Sequence, residues 1–178
     1  YIMAGTLSVS HIQGLATHSD PTTITVSSGH KLHATNHVIN YYRHTWKDAT
    51  DYSNTPWTDV TGSSFSYTPK SSNSKLFLTM STHIKRDSVS NGSGVAIRLQ
   101  VDGTTLEFPN DIGYEHYHAL GTSGSTYWRY YKDHEYTNSN TTAKTIKCQV
   151  RCYDSDTNRV NEGGSNFTSS ILVLEVQQ

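Results

Sequence analysis

The sequence is poor in charge and contains no long apolar runs. Charged residues make up 16% of the chain and the formal net charge at pH 7 is -1, so the basic surface on which nucleic-acid binding depends is missing and we predict no nucleic-acid partner. No apolar run approaches the ~20 residues of a transmembrane helix, which predicts no membrane insertion. The opening YIMAGTLSVSHIQG lacks a charged n-region and an apolar h-region, so no signal peptide is predicted.

Cysteine is also scarce. Cys148 and Cys152 are the two cysteines, and both fall in one predicted strand, TIKCQVRCY. Four residues of strand span about 13 Å, which exceeds the ~7 Å limit between the Cα atoms of a disulfide. The two thiols therefore cannot pair with each other. Because they share a face with Ile146 and Val150, we predict that both are buried.

The common catalytic motifs are missing as well. The sequence contains no nucleophile elbow, Walker loop, HExxH or CxxC motif, and these are the local patterns that place a nucleophile, a phosphate or a catalytic metal. We therefore predict that the protein is not an enzyme, with no catalytic residues and no cofactor.

What the sequence does contain indicates an all-β protein. It has 12 Tyr and 3 Trp alongside abundant Ser, Thr, Asn and Gly, a composition typical of strands and turns rather than of helices or disorder. The clearest strand is Lys75–Lys85, where strict alternation predicts one core-facing side. Its predicted inward residues are Leu76, Leu78, Met80, Thr82 and Ile84.

About ten short strands are predicted, including NHVINYYRHTW, two around Thr61-Gly62, VAIRLQVDGTTLEF, TYWRYYKDHEYT and Ala143–Asp154. Asn91-Gly92 predicts a turn, and Asp102-Gly103 predicts a two-residue type I′ hairpin. This spacing predicts a jelly-roll β-sandwich over residues 38–178. Residues 1–37, with a short predicted strand at Thr22–Ser27, contain little that could form a core, so we expect an extended N-terminal arm.

The closing strand, Ser170–Val176, is apolar on both sides. A strand of this kind is usually buried on both faces. One face would lie in the core and the other against a second subunit, so we predict that the protein is an oligomer and that Leu172, Leu174 and Val176 lie at its subunit interface.

Four segments, in this order, carry a family resemblance: SFSYTPKSSNSKLFLTMS, RLQVDGTTL, AKTIKCQVRCYDSD and SSILVLEVQQ. They resemble the C-terminal domains of bacteriophage virion proteins, which look like the trimeric jelly rolls of tumour necrosis factor and complement globular heads. The opening GTLSVSHIQG…PTTITVSSGHKL is similar to leader segments of phage tail-fibre and head-associated proteins. The resemblance implies a homotrimer in the virion, attached through its arm to other capsid or tail proteins. No shaft, heptads or repeats precede the domain, which favours a capsid decoration or head-fibre protein over a long tail fibre.

Aromatic side chains are the best candidates for ligand binding, because Tyr and Trp rings can stack on sugars or pack between subunits. The candidate binding residues are Trp57, Tyr117, Trp128, Tyr130 and Tyr131. Alternation in TYWRYYKDHEY places Tyr127, Arg129 and Tyr131 on one face and Trp128, Tyr130 and Lys132 on the other. The alternative function is therefore a carbohydrate- or receptor-binding module that recognises a host surface glycan, using loops 86–94, 109–125 and 154–169 as well.

Histidine and aspartate patterns give only weak metal signals. His116 and His118 would stand about 6.6 Å apart on one face of a strand, a separation suited to two ligands of one metal. His30, His33 and His37 lack a spacing that would align them, and Asp154 and Asp156 lack the fixed spacing of an EF-hand calcium loop. We favour surface or interface roles for the histidines and turn roles for the aspartates, and predict no metal.

Overall fold

The computed structural model describes residues 35–53, 56–86, 93–106, 116–118, 126–152, 158–161 and 167–178. Across these residues the backbone forms twelve strands and no helix, and it therefore offers no helix that could span a membrane. The predicted all-β class is confirmed. Ala34–Gln178 forms one compact unit.

Sheet A is built around the longest central strand of the chain. Its six strands are β1 (Val38–Trp46), β2 (Thr50–Tyr52), β5 (Ser74–Arg86), β9 (Thr126–Asn138), β11 (Asn158–Val160) and β12 (Ser169–Gln177). On one edge of β5, β9 pairs along the whole length, whereas β12 and β11 share the other edge. β1 flanks β12 and β2 flanks β11, and every pairing is antiparallel.

Sheet B is also antiparallel, and its strands are shorter. Its six strands are β3 (Thr58–Asp59), β4 (Phe65–Tyr67), β6 (Ser93–Val101), β7 (Thr104–Thr105), β8 (His116–His118) and β10 (Lys144–Cys152). β10 and β6 form the centre, with β3 and β4 on the outer edge of β10 and β7 and β8 on the outer edge of β6. Among the described strands, the chain crosses from one sheet to the other six times: between β2 and β3, β4 and β5, β5 and β6, β8 and β9, β9 and β10, and β10 and β11.

The two sheets pack face to face around one hydrophobic cluster. The predicted inward residues of β5, from Leu76 to Ile84, are all at most 2% exposed, which confirms the alternation. The same period buries Ile146, Val150 and both cysteines on β10. Cys148 and Cys152 are free buried thiols, as predicted. The β-sandwich class is thus confirmed.

Two turns depend on glycine. Asp102 (φ 49°) and Gly103 (φ 79°) join β6 to β7 with both central residues at positive φ, which confirms the predicted type I′ hairpin. Gly62, at φ 76°, closes the turn between β3 and β4, and the amide of Ser63 donates to the Val60 carbonyl there at 3.0 Å.

Several predictions fall outside the described residues. These are the strand at Thr22–Ser27, the turn at Asn91-Gly92, the metal candidates His30, His33, Asp154 and Asp156, and most of loops 86–94, 109–125 and 154–169. Of the predicted arm, only residues 35–37 are described. There the amide of Asn36 donates to the Gln177 carbonyl at 2.8 Å, and the amide of Gln177 donates to the His37 carbonyl at 3.0 Å.

Candidate functional site

The outward face of sheet A, on the side away from the core, carries a cluster of large apolar side chains. This cluster, the apolar patch, consists of Val38, Tyr41, Phe77, Leu172, Leu174 and Val176. Val38 is 54% exposed, Tyr41 60% and Phe77 39%. Their exposure follows from the sheet pleat, which turns alternate residues of β1, β5 and β12 away from the core.

Cross-strand pairing brings the apolar patch together. Leu174 on β12 lies directly between Tyr41 on β1 and Phe77 on β5. The three residues predicted at a subunit interface, Leu172, Leu174 and Val176, therefore share one outward face and are each half-buried in the single chain. The patch thus extends the predicted set with residues of two neighbouring strands.

Polar pairs border the apolar patch. On the β1 side, Nη2 of Arg43 donates to the Ser170 hydroxyl at 3.3 Å. On the β9 side, the Thr79 hydroxyl donates to Oδ1 of Asp133 at 2.6 Å, and Nζ of Lys75 lies 2.6 Å from Oε1 of Glu135. An apolar centre with a polar rim is the usual anatomy of a protein interface.

A shallow depression of about 420 Å³ lies where the apolar patch meets β9. It is lined by Phe77, Leu78, Thr79, Asp133, His134 and Glu135. Its lining combines apolar atoms with the carboxylates of Asp133 and Glu135, and it is open to solvent. It therefore continues the rim of the patch and does not enclose a small molecule.

The other half of the same outward face is basic and aromatic. Here Lys85 of β5 pairs with Tyr127 of β9, and Arg129 and Tyr131 follow on the same face of β9. We refer to these four residues as the basic patch. Nζ of Lys85 lies 5.6 Å from the Tyr127 ring centroid, and Cζ of Arg129 lies 5.3 Å from that of Tyr131. Tyr127 and Tyr131 are 59% and 63% exposed, so both rings face solvent.

Ionisable groups next to the basic patch contact neighbouring side chains that affect their pKa values. Arg159 donates two hydrogen bonds to the Asp51 carboxylate, and these hold the pKa of that carboxyl below its ordinary value despite partial burial. The ring of Phe167 lies 4.4 Å from the His83 ring. Burial lowers the pKa of His83, and the positive charge of Arg129 lowers it further.

Trp57 lies on the opposite face of the sandwich, just before β3 on the outward side of sheet B. The guanidinium carbons of Arg98 and Arg151 are 4.2 and 5.4 Å from its ring centroid. Nε of Arg98 donates to Gln149 at 2.9 Å, and Gln149 donates to Asp59 at 2.6 Å. The hydrogen bond from Lys147 lowers the pKa of Asp59 more than burial raises it. Trp57 thus belongs to a chain of side-chain contacts across the outward side of sheet B.

Of the predicted binding residues, the three whose side chains are described, Trp57, Tyr130 and Tyr131, do not share one surface. Tyr131 faces outward from sheet A, whereas Tyr130, the next residue, is 7% exposed and belongs to the core. Burial removes the Tyr130 ring from any stacking surface. The backbone of Trp128 pairs with Ile84 and that of Tyr117 with Gly94, and the side chains of both lie outside the described part of the chain.

A buried carboxylate was not anticipated from the sequence. Glu175 on β12 is fully buried, and its carboxylate accepts hydrogen bonds from the Tyr67 hydroxyl at 2.8 Å and the Ser74 hydroxyl at 2.8 Å. The amides of Lys70 and Ser71 add bonds of 2.9 and 3.0 Å. Burial and the bond to Glu175 raise the pKa of Tyr67 well above its ordinary value. The available signal was the alternation, which puts Glu175 on the same face as Ile171 and Val173.

The described side chains contain no group of three His, Cys, Asp or Glu residues that could hold a metal ion. His116 and His118 fall in strand β8, as predicted, although their side chains lie outside the description. His37 is described through its carbonyl, which accepts from the Gln177 amide.

Comparison with known proteins assigns the chain to no family. No family model matches the chain, and no curated protein matches it. A solved structure, the dimeric latent PorU from Porphyromonas gingivalis, is similar with a TM-score of 0.36 and 8% sequence identity. The match covers 81% of this chain and 14% of that chain.

Proposed function

We propose that the protein is a homotrimeric structural component of a bacteriophage particle, of the capsid-decoration, head-fibre or short tail-fibre type. The observation that carries the proposal is the apolar patch on the outward face of sheet A. Large contiguous apolar surfaces on a folded domain mark places where another protein binds. This patch is built partly from β12, whose inward side chains Ile171 and Val173 are fully buried in the core.

The partner in this proposal is a second and third copy of the same chain. Closed symmetric homo-oligomers are the common form of soluble assemblies, and the polar rim beside β1 and β9 suits an interface whose centre is apolar. The chain crosses repeatedly between two antiparallel sheets, and such crossings are also found in jelly rolls. That the assembly contains three subunits is inferred from the resemblance to trimeric jelly rolls.

The virion setting rests on the sequence segments that resemble phage structural domains. Two of those segments are joined physically: Tyr67 of SFSYTPKSSNSKLFLTMS donates to Glu175 of SSILVLEVQQ. Their contact supports treating them as one structural unit rather than as unrelated matches. In this proposal residues 1–37 attach the trimer to other capsid or tail proteins.

Light scattering on the full chain tests the assembly. A mass three times 19.9 kDa is expected for the trimer. A monomer at concentrations up to about 100 μM would overturn the trimer, because obligate interfaces bury enough apolar surface to hold at far lower concentrations. A trimer that fails to bind purified phage particles lacking the protein would overturn the virion role and leave the assembly intact.

A second candidate function, a carbohydrate- or receptor-binding module, is favoured by a different observation. The basic patch exposes the rings of Tyr127 and Tyr131 on β9 beside the cations of Arg129, also on β9, and Lys85, on β5. Among the described residues, β9 pairs with β5 and with no second strand. Exposed tyrosines on a rigid sheet present apolar ring faces with polar tips, the properties that suit a saccharide.

A further inference from the structure

Arg129 is the centre of the basic patch, and its geometry is fixed by two contacts. Nε of Arg129 donates to the Ser81 hydroxyl at 2.7 Å, and the guanidinium carbon lies 5.3 Å from the Tyr131 ring centroid. Both partners are uncharged. Among the described residues, no carboxylate forms a salt bridge with Arg129, so the guanidinium is oriented by the protein and is not neutralised by it.

The two tyrosines stand on either side of Arg129 on the same face of β9. Alternate residues of a strand are about 6.6 Å apart, so the Tyr127 and Tyr131 side chains leave the sheet about 13 Å from one another with the cation between them. Lys85, paired with Tyr127 across the strands, adds an ammonium at one end. The surface thus offers planar rings at fixed spacing with positive charge between them.

This arrangement matches a particular ligand chemistry. A guanidinium whose Nε is already bonded still presents its Nη groups, which bind a carboxylate in a directed way. The face of a tyrosine ring provides apolar contact for the C–H face of a sugar ring. A ligand that carries both features, a sugar ring and a carboxylate, would satisfy Arg129 and Tyr131 together.

We propose that the basic patch binds acidic saccharides, with the ligand carboxylate on Arg129 and the sugar ring stacked on Tyr131 or Tyr127. This inference rests on the saccharide-binding candidate above and names its ligand class. A single-stranded nucleic acid also combines rings with negative charge, but its affinity depends on many phosphates being neutralised. The net charge of -1 on the whole chain favours the saccharide.

The test uses the full chain and two matched saccharide pairs, titrated by isothermal calorimetry. One pair is 3′-sialyllactose and lactose, and the other is a trimer of β-1,4-linked glucuronic acid and cellotriose. The acidic member of at least one pair is expected to bind about tenfold more tightly than its neutral counterpart. Raising the ionic strength should weaken that binding, because the charges are exposed.

Three variants assign the binding to the patch. Arg129→Gln and Tyr131→Ala should each weaken binding of the acidic saccharide about tenfold. Thr137→Ala is the control, since Thr137 is exposed on the same outward face of β9 and belongs to neither patch, and it should leave binding unchanged. Circular dichroism checks that each variant is folded.

Four outcomes would overturn the inference. Equal affinity for acidic and neutral members, lost in Tyr131→Ala, would retain a saccharide-binding function and reject the acidic ligand. No binding of any of the four saccharides would reject both the ligand and the site. Unchanged binding of the acidic saccharide by Arg129→Gln would reject the site. Tighter binding of a thymidine oligonucleotide than of either acidic saccharide would replace the saccharide by a nucleic acid.

Discussion

The hydroxyl of Tyr67 donates a 2.8 Å hydrogen bond to the carboxylate of Glu175, 108 positions away in the sequence. This contact joins the end of β4 to the closing strand β12. The carboxylate also accepts hydrogen bonds from the Lys70 and Ser71 amides and from the Ser74 hydroxyl. It therefore fixes the turn that leads into β5. Glu175 is therefore a structural anchor for the strand around which sheet A is built.

Replacement of Glu175 should lower the free energy of unfolding. In Glu175→Gln, the side-chain NH₂ group would face hydrogen-bond donors, so at least one buried donor would lose its acceptor. We expect the free energy of unfolding to fall by about 3 kcal/mol, since bonds to a charged acceptor and the unsatisfied donor both contribute. Urea denaturation followed by circular dichroism measures this. Tyr67→Phe, which removes one donor, should lower the free energy of unfolding by about 1 kcal/mol. An unfolding midpoint for Glu175→Gln equal to that of the wild type would contradict the anchor role.

Gly62 and Gly103 provide a second, internally controlled prediction. Both have positive φ, 76° and 79°, so alanine carries a similar backbone penalty of about 1 kcal/mol at either position. Around Gly103 no atom lies within 4 Å of an added Cβ, whereas at Gly62 the Cβ would stand 2.8 Å from Oδ2 of Asp48 and 3.2 Å from Cβ of Trp46.

Gly103→Ala should therefore lose about 1 kcal/mol of stability, and Gly62→Ala about 2–3 kcal/mol, because the Trp46 Cβ belongs to a buried residue and cannot move aside easily. Both are measured from the same urea unfolding curves. Equal losses in the two variants would show that the close approach at Gly62 is relieved without cost.

Features governed by local geometry were predictable from the sequence. The side-chain period of a strand is fixed by the pleat, so alternation was sufficient to identify Leu76 and Ile84 as core residues. The type I′ hairpin followed from Asp102-Gly103 because few residue pairs accept positive φ at both positions. Strand pairing was not predictable in the same way, since it depends on contacts between distant segments.

The candidate site was harder to predict for the same reason. Residue type suggested Trp57 and Tyr131 as one binding set, but only the pairing of strands shows that they lie on opposite faces of the sandwich. Glu175 was missed because a glutamate in a terminal strand is ordinarily solvated, and its partners become neighbours only after β12 pairs with β5.

His83 gives a prediction about pH. Burial and the charge of Arg129 lower its pKa, whereas an unfolded histidine has a pKa near ~6.5. At a pH between these two pKa values, the unfolded chain therefore binds more protons than the folded chain. The contribution of His83 to stability is complete above the unfolded pKa and is lost as the pH falls through the folded pKa.

Titration of the His83 ring by NMR measures the folded pKa directly, with His83→Asn used to assign the signal. The midpoint should lie below the value of a model histidine peptide. Arg129→Gln should move it upward but not fully back, because burial remains the larger cause. A midpoint in Arg129→Gln identical to that of the wild type would show that the guanidinium does not act on this ring.

Leu174 is the residue on which the proposed trimer depends most directly, since it lies between Tyr41 and Phe77 at the centre of the apolar patch. In Leu174→Asp, assembly would bury an uncompensated carboxylate at a cost of about 3–5 kcal/mol per copy. We expect light scattering to show a monomer, and Leu172→Asp should behave in the same way. The isolated chain should remain folded, because both leucines face away from the core.

Thr45→Asp is the matched control for this loss of assembly. Thr45 is exposed on the same outward face of β1, paired with Ser170 and outside the apolar patch, so the introduced charge stays in water and the trimer should persist. If Leu174→Asp forms a trimer of normal mass, the copies meet through some other surface, because a buried unpaired charge at the centre of an interface is not tolerated. If Thr45→Asp also dissociates, the interface extends along β1 beyond the apolar patch and includes Arg43 and Thr45 as well as Tyr41.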